Sequence, residues 1–202
     1  MHFSPKDIFG LIAGTSFAAG LNLYATLATL GLLGHLGFID LPPTLSLLQN
    51  WAVIGASLAL FAVEFFADKI PVFDLLWNAL HTFIRIPVAA YIAYEASAQL
   101  PPQMQIATAI VGGLIALAAH GGKTAARALV TPSPEPLSNM ALSVGEDVGA
   151  ITLSWMAAQH PYVAAVVVVA LVLVIVLSIK LVVRALRSLF RGAEKSFQQV
   201  RT

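Results

Sequence analysis

Long apolar segments separated by short, proline-containing connections make up most of this 202-residue chain. A membrane-spanning helix needs about 20 apolar residues, because an α-helix rises about 1.5 Å per residue and the hydrocarbon layer is roughly 30 Å thick. Prolines interrupt helices because they lack the amide proton and restrict the residue before them. By these criteria the sequence predicts six transmembrane spans, at residues 8–35, 50–68, 72–99, 104–122, 138–159 and 161–188.

The fold class that follows is an all-α, polytopic helical membrane protein with about six transmembrane helices. Composition agrees, because 58% of the residues are hydrophobic and 10% are charged, against roughly 45–50% and about 25% in soluble domains. Residues 1–190 are predicted to form a single transmembrane domain, followed by a basic cytoplasmic tail at residues 191–202. The expected location is the cell inner (plasma) membrane, as a multi-pass protein.

More than half of the 11 lysines and arginines lie near the C-terminus: Lys180, Arg184, Arg187, Arg191, Lys195 and Arg201. Basic residues beside a membrane helix usually set its orientation, so the tail is expected in the cytoplasm, against anionic lipids and not against nucleic acid. Six spans then place the N-terminus in the cytoplasm as well. Under that topology Lys6, Lys69, Lys123 and Arg127 all fall on the cytoplasmic side, which is what the positive-inside rule expects.

Polar residues recur on one face of each of the first five predicted spans. Residues three, four or seven apart share a helix face, and ionisable residues in hydrocarbon cost roughly 2.5 to 3.5 kcal/mol each, so they face the interior and pair. The sixth span has no polar residue between Tyr162 and Ser178 and is expected to face lipid or a second copy of the chain. The candidate substrate or ion pathway consists of Asn22, Glu64, Asp68, Asp74, Asn78, His81, Arg85, His120, Lys123, Arg127, Glu146 and Asp147.

Two other interpretations of these polar faces remain open. They can join helices to one another, or the acidic and basic groups can neutralise one another near the inner surface. Arg85 favours a pathway, because the apolar stretch after Pro87 is too short to cross the membrane alone and residues 72–86 must then be part of the span. If residues 72–86 instead lie in the plane of the interface, Arg85 is shallow.

Three local patterns leave the course of the backbone undecided. Gly20 and Asn22 allow a break in the first span, but close packing through Gly10-x-x-x-Gly14 and the nearby small residues is the favoured interpretation. The stretch 143–146 fits a capping box that would start a half-helix inside the fifth span. Gly-Leu-Ile-Ala occurs at 10–13 and again at 113–116, which suggests an inverted repeat of three plus three spans.

Gly122-Lys123-Thr124 matches the last three residues of a phosphate-binding P-loop. A P-loop also needs a glycine five residues earlier, after a β-strand. Leu117 occupies that position within an apolar helix, so no nucleotide site is expected. The chain has no cysteine, no His-x-Glu-x2-His motif and no metal-ligand spacing, and neither a metal nor a cofactor is predicted.

The charged residues also form an ordered motif: Glu64-x3-Asp68-Lys69-x-Pro71-x2-Asp74, Arg85, His120-Gly-Gly-Lys123, Arg127, Ser143-Val-Gly-Glu146-Asp147. This pattern resembles a family of small bacterial integral membrane proteins known only as a domain of unknown function. The resemblance covers roughly residues 8–160. It implies a multi-span inner-membrane protein and no activity, so no catalytic residue is inferred from it.

The favoured function is a transporter or channel for a small solute or ion, with a charged site inside the membrane. One alternative is a membrane enzyme or binding protein for a lipid or phosphate-bearing ligand at the cytoplasmic face, held by His120, Lys123 and Arg127. The sequence contains no nucleophile with an adjacent base, so an enzyme is the less expected outcome. A further alternative is a noncatalytic membrane assembly factor, acting through the sixth helix, with a possible homo-oligomer there.

Overall fold

A computed structural model of the protein describes the backbone of residues 5–68, 71–130 and 136–200 and the side chains of residues 7–68, 77–127, 140–184 and 187. Within those ranges the chain is helical and contains no strand, which confirms the all-α class. The helices are α1 (Pro5–Leu21), α2 (Leu23–His35), α3 (Trp51–Ala67), α4 (Pro71–Ala96), α5 (Pro102–Val130), α6 (Pro136–Gln159) and α7 (Pro161–Val200), with a short 3-10 helix at Pro43–Gln49 between α2 and α3.

Prolines and asparagines define where the helices begin. Each of α4 to α7 starts at a proline, whose missing amide proton costs nothing in the first helical turn. Two other helices are capped by asparagine side chains: Asn22 accepts from the amide of Ala25 and Asn50 from the amide of Ala52, at 2.9 and 2.8 Å. These local signals explain why the predicted second to fifth spans begin within a few residues of α3 to α6; the fourth predicted span, however, ends at residue 122, whereas α5 continues to Val130. The predicted tail, by contrast, begins inside α7, which continues to Val200.

The first predicted span, residues 8–35, is two helices and not one. Asn22 has extended backbone angles (φ −146°, ψ 106°), so α1 ends at Leu21 and α2 begins at Leu23. The break reverses the direction of the chain, as the contacts of the two outer ends show. Gly10 lies against Pro161, and the carbonyl of Phe38 accepts a hydrogen bond from Gln159.

Pro161 and Gln159 flank the single-residue corner between α6 and α7. Both ends of the segment therefore lie at the same end of the bundle, which we call the outer end. A continuous helix from residue 10 to residue 38 would separate them by about 42 Å. Helices α1 and α2 thus form a re-entrant hairpin that enters the bundle and returns.

The hairpin changes the predicted topology. Gly10 and Gly14 contact the first turns of α7, at Pro161 and Ala164, so α1 and α7 run in the same direction. Further along, Gly122 of α5 contacts Ile175 of α7 at the opposite, inner end. The start of α1 and the basic tail are therefore at opposite ends of the bundle. The prediction that both termini lie on one side is wrong, because a single non-helical residue at position 22 sends the chain back.

The six predicted spans are not confirmed. Among the described residues two helical segments are long and apolar enough to cross a membrane, Pro102–Arg127 of α5 and Pro161–Arg184 of α7. The 3-10 helix and α3 together would make a third, with a bend of 63° between them. Helices α4 and α6 carry polar faces and do not pass that test.

The inverted repeat is not confirmed either. Corresponding helices of an inverted repeat run in opposite directions. Gly20 of α1 lies against Ala116 and Ala119 of α5, and Phe9 lies beside Met104, so α1 and α5 run in the same direction. The two elements also differ in form, because α1 ends at the break whereas α5 is continuous for 29 residues.

Two alternatives left open by the sequence are settled by continuous helices. Residues 72–86 belong to the single 26-residue helix α4, about 39 Å long, so no separate in-plane helix forms. Helix α6 runs without interruption through residues 143–146, so no half-helix begins there. Residues 122–124 are also helical, in α5, which agrees with the absence of a P-loop.

Burial in this fold is the reverse of that in a water-soluble protein. The side chains of Glu64 and Arg85 are fully buried, whereas Phe83, Val166 and Leu181 expose 82%, 69% and 64% of their surface. Large apolar side chains cover the outside of α3 to α7. A continuous apolar exterior around buried charge suits a bilayer and would aggregate in water. The chain is therefore a membrane protein.

Small residues allow α1 to occupy the centre of the bundle. A Cβ atom added at Gly20 would meet the backbone carbonyl of Ala116, and one added at Gly14 would lie 2.5 Å from the Cβ of Ala157. The glycines of the first span therefore serve close packing, while Asn22 makes the break. The favoured interpretation, packing, holds for the glycines, but the break that it was favoured over also occurs, at Asn22.

We expect the start of α1 and the inner end of α7 to lie on opposite membrane faces. The chain has no native cysteine, so single cysteines at Asp7, Leu36, Gln99 and Arg187 can be labelled with a membrane-impermeant maleimide. The hairpin predicts that Asp7, Leu36 and Gln99 react from one face and Arg187 from the other. Labelling of Asp7 together with Arg187 would restore the six-span topology.

Close packing at the break predicts different effects for two glycine substitutions. Gly20→Ala should lower the free energy of unfolding by about 1–3 kcal/mol, because its Cβ meets backbone atoms that cannot move aside. The control is Gly55→Ala in α3, where nothing lies within 4 Å of the added Cβ. Thermal unfolding in detergent measures both, and an equal loss of stability for the two variants would contradict the packing argument.

Candidate functional site

The candidate site is built around the break between α1 and α2. In an uninterrupted helix the amide of Ala25 would donate to the carbonyl of Leu21. Here that amide donates to the Asn22 side chain instead. The freed carbonyl of Leu21 accepts from Arg85 Nη1 at 3.2 Å and from Lys123 Nζ at 3.1 Å. The negative end of the α1 dipole is thus neutralised by two cations from other helices.

The first part of the charge network joins α3, α4 and α5. A guanidinium nitrogen of Arg85 pairs directly with Glu64, and Lys123 Nζ lies 3.6 Å from the same carboxylate oxygen. The side chains of all three residues have no exposed surface. A buried charge without a partner is strongly destabilising, and each charge of this triad has an oppositely charged partner.

The second part lies toward the inner end and joins α3, α5 and α6. Arg127 binds Glu146 through two nitrogens, at 2.6 and 3.3 Å, and Asp68 at 2.7 Å. Lys123 Nζ approaches Glu146 at 3.1 Å and Asp68 at 3.6 Å. Ser143 Oγ donates to Asp68 at 3.4 Å. Lys123 is therefore the residue that connects both parts of the network with the helix break.

Asp147 enters the site from α6. Its Oδ1 accepts a hydrogen bond of 2.8 Å from Asn22 Nδ2. The same asparagine thus caps α2 with its oxygen and holds a carboxylate with its nitrogen. Asp147 lies 12 residues from the outer end of α6, or about 18 Å, and Arg85 lies about 17 Å from the outer end of α4. Both groups are near the middle of a layer roughly 30 Å thick.

The two buried histidines have well-defined hydrogen-bond roles. Thr82 donates to the carbonyl of Asn78 at 2.9 Å, so His120 Nε2 must donate to Thr82 Oγ1 across 2.7 Å. His120 Nδ1 then accepts from Arg85 Nη1 at 3.4 Å. His120 therefore supports the position of the arginine and needs a single ring proton.

His81 belongs to a separate group on α4 and α2. Its Nδ1 donates to the carbonyl of Trp77 at 2.7 Å, and its Nε2 accepts from the hydroxyl of Tyr24 at 2.9 Å. The ring also stacks on Trp77, with 4.2 Å between ring centroids. These contacts fix the orientation of His81 at the edge of the site.

The structure brings nine of the predicted site residues together at the break. Seven are joined by ion pairs and hydrogen bonds: Glu64, Asp68, Arg85, His120, Lys123, Arg127 and Glu146. The hydrogen-bonded pair Asn22 and Asp147 lies next to them, beside the Leu21 carbonyl that Arg85 and Lys123 bind. His81 lies beside this set, and Asn78 contributes its backbone carbonyl through Thr82. The side chain of Asp74 lies outside the described residues. The polar faces inferred from helical periodicity therefore converge.

Sequence reasoning missed the Leu21 carbonyl, Tyr24 and Thr82. The carbonyl has no side-chain signature and becomes available only because Asn22 diverts an amide. Tyr24 is two residues after Asn22 and lies off the face that carries it. Thr82, by contrast, is four residues after Asn78 and three before Arg85, so the same helical spacing could have identified it.

Three buried polar atoms of the site have no hydrogen-bond partner in the described part of the chain: Glu64 Oε2, Asp147 Oδ2 and Arg85 Nε. Leaving such a group unpaired costs roughly 1–3 kcal/mol, and more when it is charged. Native proteins rarely retain these atoms without a role. The site therefore has bonding capacity that the described side chains do not use.

A groove leads from the apolar surface to this network. It lies between α5, α6 and α7, has a volume of about 690 Å³ and reaches Lys123 and Glu146. Small residues widen it, namely Gly122, Ala126, Ala141, Gly145 and Gly149. No three histidine, aspartate or glutamate side chains of the described part are grouped to hold a metal ion.

Comparison with known protein families identifies one that covers most of the chain. Residues 9–181 match the family described as Domain of unknown function (DUF4126), and the chain belongs to that family. This confirms the resemblance seen in the charged motif and extends it into α7. No curated protein and no solved structure matches the chain.

Removal of one partner from the buried network should be costly. Glu64→Gln leaves the Arg85 guanidinium without a carboxylate partner, and we expect a loss of about 3–5 kcal/mol in the free energy of unfolding. The control Glu95→Gln, at the half-exposed outer end of α4, should change it by less than about 0.5 kcal/mol.

The double variant Glu64→Gln/Arg85→Gln tests whether the two charges act as a pair. Its loss of stability should be smaller than the sum of the two single losses, because the second change removes the orphaned charge. Strictly additive losses in detergent unfolding experiments would show that the pair is not coupled.

Proposed function

Starting from membership in this family, we propose that the protein is a transporter or channel for a small solute or ion and that its substrate site is the α1–α2 break. One observation carries this proposal. Buried polar atoms of Glu64, Arg85 and Asp147 that have no partner among the described residues lie beside a broken helix at mid-membrane depth. Discontinuous helices in transporters place their ends and freed backbone groups around the bound substrate.

The break offers both signs of charge to a ligand. The carbonyl end of α1 carries partial negative charge, and the amide end of α2 carries partial positive charge. Leu21 and Leu23 are separated only by Asn22, so the two ends meet at one point. Arg85 and Lys123 lie on the carbonyl side and Asp147 on the asparagine side. This arrangement suits a small charged or zwitterionic group.

A purely structural role explains the network less well. Replacing buried ion pairs by apolar residues is often neutral or stabilising, so stability alone gives little reason to retain seven buried charges. Intramembrane ionisable residues ordinarily mark a pathway for ions or substrate. The groove that reaches Lys123 and Glu146 supplies an approach from the apolar surface.

Binding of a phosphate-bearing ligand at the inner face has less support. Such a site requires cations that are free to bind phosphate. Arg127 and Lys123 are instead paired with Asp68 and Glu146 inside the protein. An anionic ligand there would have to displace two carboxylates.

Reconstitution into proteoliposomes tests the transport proposal. Charge movement on a supported membrane is recorded for inorganic cations, inorganic anions, carboxylates, amines and amino acids across a range of pH. We expect a signal for at least one class. Asn22→Ser keeps an oxygen cap for α2 but removes the hydrogen bond to Asp147, and should reduce the signal roughly tenfold or more.

The matched control is Asn50→Ser, which changes the other asparagine cap at an exposed position of the outer end. It should leave the signal unchanged. A protein that moves none of these classes, or one equally impaired by both serine variants, would contradict a substrate site at the break.

A further inference from the structure

The charges of the described site do not balance. Four carboxylates face three cations: Glu64, Asp68, Glu146 and Asp147 against Arg85, Lys123 and Arg127. Each of the first three carboxylates forms an ion pair with at least one of these cations. Asp147 forms none. The excess negative charge of the site is therefore located on Asp147.

The surroundings of Asp147 make an ionised side chain costly. The residue is 5% exposed, and among the described residues its Oδ2 has no hydrogen-bond partner and its Oδ1 has only the amide of Asn22. An unpaired carboxylate at such a position is far more costly to bury than a neutral carboxyl group.

The charged groups of the described residues that act on Asp147 add to this picture. Glu64 and Asp68 of α3 are two like charges, and Lys123 of α5 is the one opposite charge within that part of the chain. Lys123 is already shared among Glu64, Asp68 and Glu146. The α1–α2 hairpin presents the uncharged side chain of Asn22 to Asp147. These nearby charges therefore do not neutralise the negative charge of an ionised Asp147.

A proton fits this position better than a metal cation. A metal cation such as sodium needs several oxygen ligands at once, by analogy with the oxygen shells of calcium and magnesium. Asn22 Oδ1 is occupied by the amide of Ala25, and the Leu21 carbonyl by Arg85 and Lys123. A proton needs only one oxygen, and Asp147 Oδ2 is such an atom.

We propose that Asp147 is a proton-binding residue and that proton movement through it drives the transport proposed above, on which this inference rests. A proton from water on one side forms an O–H bond at Oδ2, and that bond breaks when the proton is released to water on the other side. Proton uptake breaks one O–H bond of a hydronium ion and release forms one again on the other side, so the side chain alternates between neutral and singly negative and no other bond of the protein changes. Asn22 is a positioning residue that keeps Oδ1 as an acceptor.

Infrared difference spectroscopy of the full chain in detergent tests proton binding directly. At neutral pH the wild type should show the C=O stretching band of a protonated carboxyl group, and Asp147→Asn should lose that band. Asp40→Asn is the matched control, because it makes the same change at an exposed position outside the helices. Its spectrum should retain the band.

A second variant decides the question if Asp147→Asn does not fold. Asn22→Ser removes the hydrogen bond to Asp147 Oδ1 while keeping an oxygen cap, so the band should shift in frequency. The proposal is overturned if the wild type has no such band, or if neither the aspartate nor the asparagine variant changes it. It is also overturned if sodium chloride, but not potassium chloride, abolishes the band, since Asp147 would then bind a metal cation.

The coupling of proton movement to substrate transport is tested separately in proteoliposomes. The substrate is one of the classes that gave a signal for the wild type. An inward proton gradient should increase its uptake at least tenfold in the wild type and in Asp40→Asn, and should have no effect in Asp147→Asn. If the proton gradient does not change uptake by the wild type, proton coupling is overturned, but the transport proposal is not. If no class is transported, the transport proposal and its coupling fail, while the infrared band still decides proton binding.

Discussion

The backbone amide of Ala25 donates its hydrogen bond to the side chain of Asn22 and not to the carbonyl of Leu21. The rest of the structure depends on this exchange. It ends α1, starts α2 in a new direction, and leaves a backbone carbonyl exposed inside the protein at a depth where water is scarce. Such a group must find donors, and Arg85 and Lys123 supply them. The break and the buried cations are therefore parts of the same arrangement.

The cations in turn require the carboxylates. Arg85 and Lys123 cannot be buried alone, and Glu64 lies between them at the end of α3. Toward the inner end Arg127 is held by Asp68 and Glu146 in the same way. Mutual neutralisation of charges, which the sequence offered as an alternative to function, thus occurs for three of the four carboxylates in the described part of the site. The remaining carboxylate, Asp147, and the unused atoms around it distinguish the site from a network that only balances charge.

The bundle accommodates this interior because its centre is made of small residues and its exterior is apolar. Helix α1 packs against α4, α5, α6 and α7, and glycines at the contacts allow backbones to approach closely. Helix α7 lies outside the polar interior, and most of its described apolar side chains are exposed. A polar core inside an apolar shell is stable in a bilayer, where the exposed side chains lose nothing by facing lipid.

Local patterns in the sequence determined which segments are helical, where prolines begin them and which faces are polar, because helix periodicity and capping act over a few residues. They placed Glu64, Arg85, Lys123 and Asp147 on inward faces correctly. They did not determine the direction of the chain after Asn22, since one residue with extended backbone angles changes no composition and little hydropathy. The fold also decided which charges pair, and it made the Leu21 carbonyl part of the site. These features depend on distances between helices far apart in sequence, and only the tertiary structure sets those distances.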